Sequence, residues 1–184
     1  MFEINLTAVA VNKKLNEYAE IKKLISRAFP KNEQFPMWLL CILAIRKSVD
    51  FLAYYDNDLF CGISYTVAND DLVFVLYLAV NDKIRSKGYG SQIIQYIKQM
   101  HPDKAAALNI EPLNPNAQNY AQRIKRYEFY KKNGFVDTQY KIVDGGEDYQ
   151  ILSTVNRFPL EAYKTVIKRL SFGFYLPEVL DIND

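Results

Sequence analysis

Nine apolar residues run without a break from Leu72 to Val80, and the character of the chain then reverses within a few positions. Val73, Phe74, Val75, Tyr77 and Val80 favour a strand, and the lack of polar alternation predicts one buried on both faces. The string Arg85-Ser86-Lys87-Gly88-Tyr89-Gly90-Ser91 follows, with two cations and two glycines. Glycine tolerates positive φ and lets backbone come close to a ligand. After Gly90 the period becomes helical. Ile93, Ile94, Ile97 and Met100 share one face, Gln92, Gln95, Lys98 and Gln99 the other, and Pro102 ends the helix at His101. A turn so placed sits on a helix N-terminus, where unpaired N–H groups and the macrodipole favour an anion such as a phosphate.

Two phosphate motifs do not fit. No Gly-x-x-x-x-Gly-Lys-Ser/Thr string occurs, and Ile93 stands where a dinucleotide fingerprint needs its third glycine. The segment does fit Arg-x-x-Gly-x-Gly, through Arg85, Gly88 and Gly90.

At 184 residues, 49% apolar and 24% charged, the chain suits one globular domain spanning 1–184. A net charge of +2 gives no electrostatic reason to expect nucleic acid. Cys41 and Cys61 each lie inside an apolar segment and read as reduced core thiols, which suits a cytoplasmic setting; a disulfide between them stays open. Neither lies near a turn expected to face a ligand. No Cys/His cluster has metal-ligand spacing, so no metal is expected. The opening MFEINLTAVAVNKK reads as a strand rather than a signal peptide. The longest apolar runs, Met37–Ile45 and Leu72–Val80, fall short of the roughly 20 residues of a membrane span.

Taken in order, Phe2–Val11 reads as a strand and Leu15–Phe29 as a helix, with Tyr18, Ile21, Leu24, Ile25 and Ala28 at helical spacing. Pro30 and Pro36 bracket a loop before a short helix, Met37–Lys47. Phe51–Tyr55 and Leu59–Ala68 form a hairpin about Asp56-Asn57-Asp58. Lys104–Ile110 is a strand that must run parallel to Leu72–Val80, because the helix between them forces a crossover. Asn119–Asn133 is a helix with Tyr120, Ile124, Tyr127 and Tyr130 on one face and Gly134 as its stop. Phe135–Val143 and Tyr149–Val155 form a hairpin about Asp144–Glu147. Leu160, Tyr163, Val166, Ile167 and Leu170 mark a last amphipathic helix, whose stripe is a core or homodimer face. The order β-α-α-β-β-β-α-β-α-β-β-α is that of a mixed sheet with helices on it. A ligand there belongs outside the carboxyl ends of the parallel strands, where Arg85–Ser91 and Glu111 both fall.

Phe129-Tyr130-Lys131-Lys132-Asn133-Gly134-Phe135 resembles the aromatic-Tyr-x-x-x-Gly-Phe string of the GNAT N-acetyltransferase superfamily, and Arg85–Gly90 matches that superfamily's pyrophosphate turn. The resemblance covers about 2–155 and leaves 156–184 as a C-terminal helical extension. It implies an α/β acyl-CoA N-acyltransferase fold: a mixed, mostly antiparallel sheet, a central splayed parallel pair and helices on both faces. It implies acetyl-CoA as cosubstrate, with the backbone of Leu78, Ala79 and Val80 pairing with the pantetheine arm. Arg85, Ser86, Lys87, Gly88, Tyr89, Gly90 and Ser91 would hold the pyrophosphate. Tyr130 would protonate the leaving thiolate. Glu111-Pro112-Leu113-Asn114-Pro115-Asn116 looks like the Glu-x-x-x-x-Asn segment of GNATs that acetylate ribosomal-protein α-amines, which makes Glu111 a candidate general base and Asn116 a ligand contact. The helix before Tyr130 is about two turns longer than usual, and Arg123 and Arg126 stand where the family often has small or polar residues.

The chemistry asks for the same parts. An ammonium cannot attack a thioester until a base takes a proton, directly or through water. The developing oxyanion needs an N–H donor. The expected activity is acetyl transfer to a primary amine, small or peptide, in a ternary complex without an acyl-enzyme. A non-catalytic acyl-CoA sensor is the alternative, because the Leu72–Val80 strand lacks the carboxylate many GNATs use as base. An RNA-associated role for Arg123, Lys125, Arg126, Lys131 and Lys132 is the weakest reading. Arg123, Lys125 and Arg126 read first as a solvated face, or as a secondary contact to CoA phosphate, and His101 as a surface residue.

Overall fold

The computed structural model describes residues 6–84, 87–170 and 177–182. Among them, eight strands form a sheet in the order β1-β2-β3-β4-β5-β7-β6-β8, antiparallel except for the β4–β5 pair. The chain divides into two compact units, one reaching Val67 and including Val75–Pro102, the other comprising Ala68–Phe74 and the chain from Asp103.

The first unit holds β1 (Thr7–Ala10), α1 (Tyr18–Ala28), α2 (Met37–Leu43), β2 (Val49–Asp56), β3 (Leu59–Ala68), most of β4 (Leu72–Val80) and α3 (Tyr89–Met100). The period read for α1 holds, with Ile21, Leu24 and Ile25 buried. Helix α2 stops at Leu43, four residues short of Lys47, and the chain turns through Ala44–Lys47 into β2. β3 is buried from Phe60 to Ala68. Its tyrosine Tyr65 packs against Phe51 and Tyr77 with ring centroids 5.3 and 6.3 Å away. The Tyr77 hydroxyl donates to the Glu33 carbonyl and accepts the Phe35 N–H at 3.0 Å, which ties the loop between α1 and α2 to β4.

The second unit holds the start of β4, β5 (Ala105–Ile110), α4 (Tyr120–Lys132), β6 (Val136–Asp144), β7 (Glu147–Ser153), α5 (Leu160–Leu170) and β8 (Glu178–Asp181). Leu72, Val73 and Phe74 pair in parallel with Ala105, Ala106 and Ala107, as the crossover requires. The late hairpin folds back so that β7, not β6, lies beside β5. β8 adds an antiparallel strand on β6 that the sequence reading missed. On α5, Tyr163 and Val166 are fully buried, and the Tyr163 hydroxyl donates to Asn109 at 3.0 Å. Those two residues of the stripe are therefore core. No α4 residue is buried, and Ile124 is 37% exposed, so its apolar face is only partly covered. Among the described residues no helix is long and apolar enough to cross a membrane.

Candidate active site

The anion turn belongs to the first unit. β4 hands over to it at Asn81, which is buried and fully engaged. Its N–H donates to Cys61 O at 2.8 Å and its Nδ2 to Phe60 O at 3.0 Å, while its Oδ1 accepts the Lys83 N–H at 3.2 Å. This fixes the start of the turn against β3. Arg27–Asp82 at 2.9 Å and Lys83–Glu20 at 3.3 Å tie the segment to α1; exposed pairs of this kind add little stability.

Gly88 caps α3 at φ 81°, in the left-handed region, and α3 has no side-chain cap. The N–H groups of Tyr89, Gly90 and Ser91 fall in the first helical turn, which offers them no intrahelical acceptor. That is the donor set an anion needs. Lys87 and Gly88 are exposed. Arg85 and Ser86 lie outside the described residues. Tyr89 is 3% exposed, and its hydroxyl donates to Asp56 at 2.9 Å, so its side chain anchors the helix to the β2–β3 hairpin. Burial first, and then Asp56, push that hydroxyl up to about 12. Only its backbone is left for a ligand.

The end of β4 lies close to β3 because residue 62 is glycine. A Cβ there would meet the Ala79 carbonyl oxygen at 2.4 Å, Val80 Cα at 3.1 Å and Ile93 Cδ1 at 3.2 Å. Ala79 is buried, and Leu78 and Val80 are half-buried. Cys61 sits beside Tyr89, nearer the turn than the sequence suggested. Burial pushes its thiol up. Both cysteines are free thiols. His101 is not a surface residue: its side chain is 14% exposed, with Nε2 3.7 Å from Asp50.

Glu111 and Tyr130 belong to the second unit. Glu111 directly follows β5, and its side chain is 19% exposed. Arg123 Nη2 reaches Oε1 at 3.0 Å, Arg126 Nη1 reaches Oε2 at 2.8 Å, and Asn119 Nδ2 donates to Oε1 at 3.0 Å. The spacing of Arg123 and Arg126 along α4 puts both on the face toward β5, so these two are not the solvated face the sequence suggested. The asparagine that touches Glu111 is Asn119. Asn116 is exposed, and its N–H bonds to Asn114 Oδ1 at 2.9 Å.

Tyr130 owes its place to the way α4 ends. Gly134, at φ 80°, donates to Lys131 O at 3.0 Å, and Phe135 donates to Tyr130 O at 3.1 Å. This is a Schellman stop, and its apolar contact is the Tyr130–Phe135 ring pair at 5.6 Å. The Tyr-x-x-x-Gly-Phe string is thus a helix terminator that fixes one tyrosine. Burial pushes the Tyr130 hydroxyl up to about 12, with Arg126 pulling the other way, so the phenol stays protonated and able to donate. Among the described residues no Cys/His/Asp/Glu group could hold a metal.

Sequence reasoning missed Asn81, Gly62 and Asn119 at the site. The only local signal was an asparagine directly after the apolar run.

The family model of the acetyltransferase (GNAT) domain matches residues 47–137, from β2 through α4. No curated protein matches the sequence. Among solved structures, a protein described as a GNAT-family acetyltransferase from Bacteroides thetaiotaomicron superposes with a TM-score of 0.71 at 18% identity, covering 94% of this chain and 100% of that one. The ribosomal-protein-S18-alanine N-acetyltransferase of Escherichia coli gives 0.58 at 15% identity, over 81% of this chain and 92% of that one. Arabidopsis thaliana Naa50, in complex with the bisubstrate analogue CoA-Ac-MVNAL, gives 0.59 at 19% identity, over 82% of this chain and 98% of that one. At these identities the likeness is one of fold. With the domain match across its centre, the chain carries a GNAT acetyltransferase domain over residues 47–137.

Proposed function

We propose that this protein transfers an acetyl group from acetyl-CoA to a primary amine by direct attack in a ternary complex. The observation that carries the reading is the uncapped start of α3 behind Gly88, a backbone donor set suited to a pyrophosphate, in a GNAT domain. The N–H groups of Lys87–Ser91 hold the pyrophosphate, with Arg85 and Ser86 beside them in sequence. The backbone of Leu78, Ala79 and Val80 pairs with the pantetheine arm. Asn116 is a further ligand contact from its exposed loop. Glu111 takes a proton from the acceptor ammonium, and Tyr130, protonated at physiological pH, supplies one to the departing thiolate. Cys61 and Cys41 play no covalent part; two free thiols suit a reducing, cytoplasmic setting. Solved relatives are consistent with the cosubstrate, one from Elizabethkingia anophelis having acetyl-CoA bound.

The test is incubation with acetyl-CoA and a panel of amines, reading free thiol. Amine-dependent thiol release without a burst of acylated protein is the expected result. Tight binding of acetyl-CoA without turnover would favour a sensor. The engagement of Glu111 by two guanidiniums is the observation on that side.

A further inference from the structure

The Glu111 carboxylate is outnumbered. Arg123 and Arg126 bring two guanidiniums to one carboxylate, so the cluster keeps a surplus of positive charge. The two arginines differ in freedom. The Arg123 side chain is 16% exposed and heavily engaged: Nε donates to Asn119 Oδ1 at 2.7 Å, Nη1 to Pro112 O at 2.9 Å and Nη2 to Glu111 at 3.0 Å. The Arg126 side chain is 40% exposed, and its one hydrogen bond among the described residues runs from Nη1 to Glu111 Oε2 at 2.8 Å. A guanidinium is a planar fork of five donors matched to a carboxylate, and most of this one is unused.

A cavity also lies one residue along the chain from the cluster, though none of the cluster's side chains lines it. Of about 330 Å³, it is walled in part by Pro112 and Leu113, which follow Glu111, and by Tyr127, which follows Arg126. Its two charged wall residues, Lys141 and Asp148, are 3.4 Å apart and pair with each other. The cavity wall is thus charge-balanced, and the unbalanced charge next to it along the chain is the arginine pair on Glu111.

We propose that the acceptor is a primary amine carrying its own carboxylate, and that Arg126 is the specificity-determining residue that reads it. The inference rests on the amine-acetylation reading and names the kind of amine. The acceptor carboxylate takes the open side of the Arg126 fork. Arg126 swings off Glu111 Oε2, while Arg123 keeps Oε1 in place. Oε2, now released, takes one proton from the acceptor ammonium. The nitrogen lone pair forms the C–N bond to the thioester carbonyl carbon. The C–S bond breaks with its electron pair on sulfur, and the thiolate takes the Tyr130 proton. Tyr130 recovers it from the acetylated nitrogen, which sheds its second proton to become an amide. A cationic diamine meets like charge at the same place and is rejected.

The test uses the full chain saturated with CoA and two matched pairs of probes. Phenylalanine against phenylalaninamide puts the carboxylate on the α-carbon. A peptide beginning with aspartate, against the same peptide beginning with asparagine, puts it on a side chain. In at least one pair the carboxylate member binds about tenfold or more tightly, the scale of a charged hydrogen bond. Which pair responds tells a free amino acid from an acidic peptide. Arg126→Gln erases the preference. Arg126→Lys, which keeps the charge and loses the fork, retains part of it and stands in if Arg126→Gln fails to fold. Lys125→Gln removes the same charge from the next position and leaves the preference intact. Equal binding within both pairs, or a preference that survives both Arg126 substitutions, overturns the proposal. Thiol release in the same samples with acetyl-CoA separates the two readings. A preference without release refutes acetyl transfer and keeps the site. Release that is indifferent to the carboxylate keeps acetyl transfer and refutes the role of Arg126.

Discussion

Gly62 faces the Ala79 carbonyl oxygen so closely that a Cβ at position 62 would lie 2.4 Å from it. The neighbour is backbone, at the end of β4, and cannot rotate aside as a side chain could. Gly62→Ala must therefore push β4 or α3, since Val80 Cα and Ile93 Cδ1 stand at 3.1 and 3.2 Å. Overpacking of this kind costs about 1–3 kcal/mol. We expect a loss of that size in denaturant unfolding, with a weaker response to acetyl-CoA in the same titration. Unchanged stability would mean that β4 gives way freely.

The end of α4 makes a second prediction. Gly134 holds φ 80°, and its N–H and that of Phe135 close the Schellman bonds that seat Tyr130. A side chain in the left-handed region costs about 1–2 kcal/mol. Gly134→Ala should lose about that much stability, and turnover should fall by more than the unfolded fraction explains. Gly134→Asn, which tolerates the conformation better, should recover part of both. If Gly134→Ala loses stability with full turnover by the folded fraction, Tyr130 has no role that depends on its position.

What the sequence made legible was local. The β4 run, the glycine cap Gly88, the face of α3 and the Tyr130–Phe135 terminator are each encoded within a dozen residues, and each appears where it was read. What it hid depends on register between distant segments. Arg126 and Glu111 are 15 positions apart, and their pairing follows from how α4 lies on the end of β5, so a basic helix face looked merely solvated. Gly62 looked like any strand glycine until Ala79 stood beside it. His101 looked exposed because Asp50, on β2, is far away in sequence. β8 was missed because its four residues, only partly buried, carry little strand signal of their own, and β6 supplies the rest.

The buried tyrosines predict how the protein fails in alkali. Burial raises the hydroxyls of Tyr54, Tyr65 and Tyr163 well above the usual tyrosine range, and pushes Tyr77 up to about 12. Their folded values lie above the unfolded value near 10, so the folded state holds these protons more tightly. That contribution to stability is complete below about pH 10 and is lost as pH climbs toward the folded values. Tyrosinate absorbance should rise in two stages: a gentle one from exposed tyrosines, then a steep one coincident with loss of ellipticity above about pH 10. A single gradual rise with the fold intact would contradict the burial.

Tyr130 and Glu111 can be separated by pH. Tyr130, raised to about 12, is protonated across the working range, so Tyr130→Phe removes a proton donor that is always present. Turnover should fall by about a hundredfold or more at every pH, the usual scale for a positioned acid. Glu111→Gln removes a proton acceptor instead. It is needed most where the acceptor amine is charged, so the loss should be greatest at low pH and shrink as bulk pH rises toward the amine's own value. Arg123 and Arg126 would lose their shared partner in that variant, so its melting temperature must be read beside its rate. The profile of kcat against pH for the two variants decides the assignment. Parallel curves for both would mean that Glu111 only holds α4 in place. Full activity in both would remove the two residues from the chemistry.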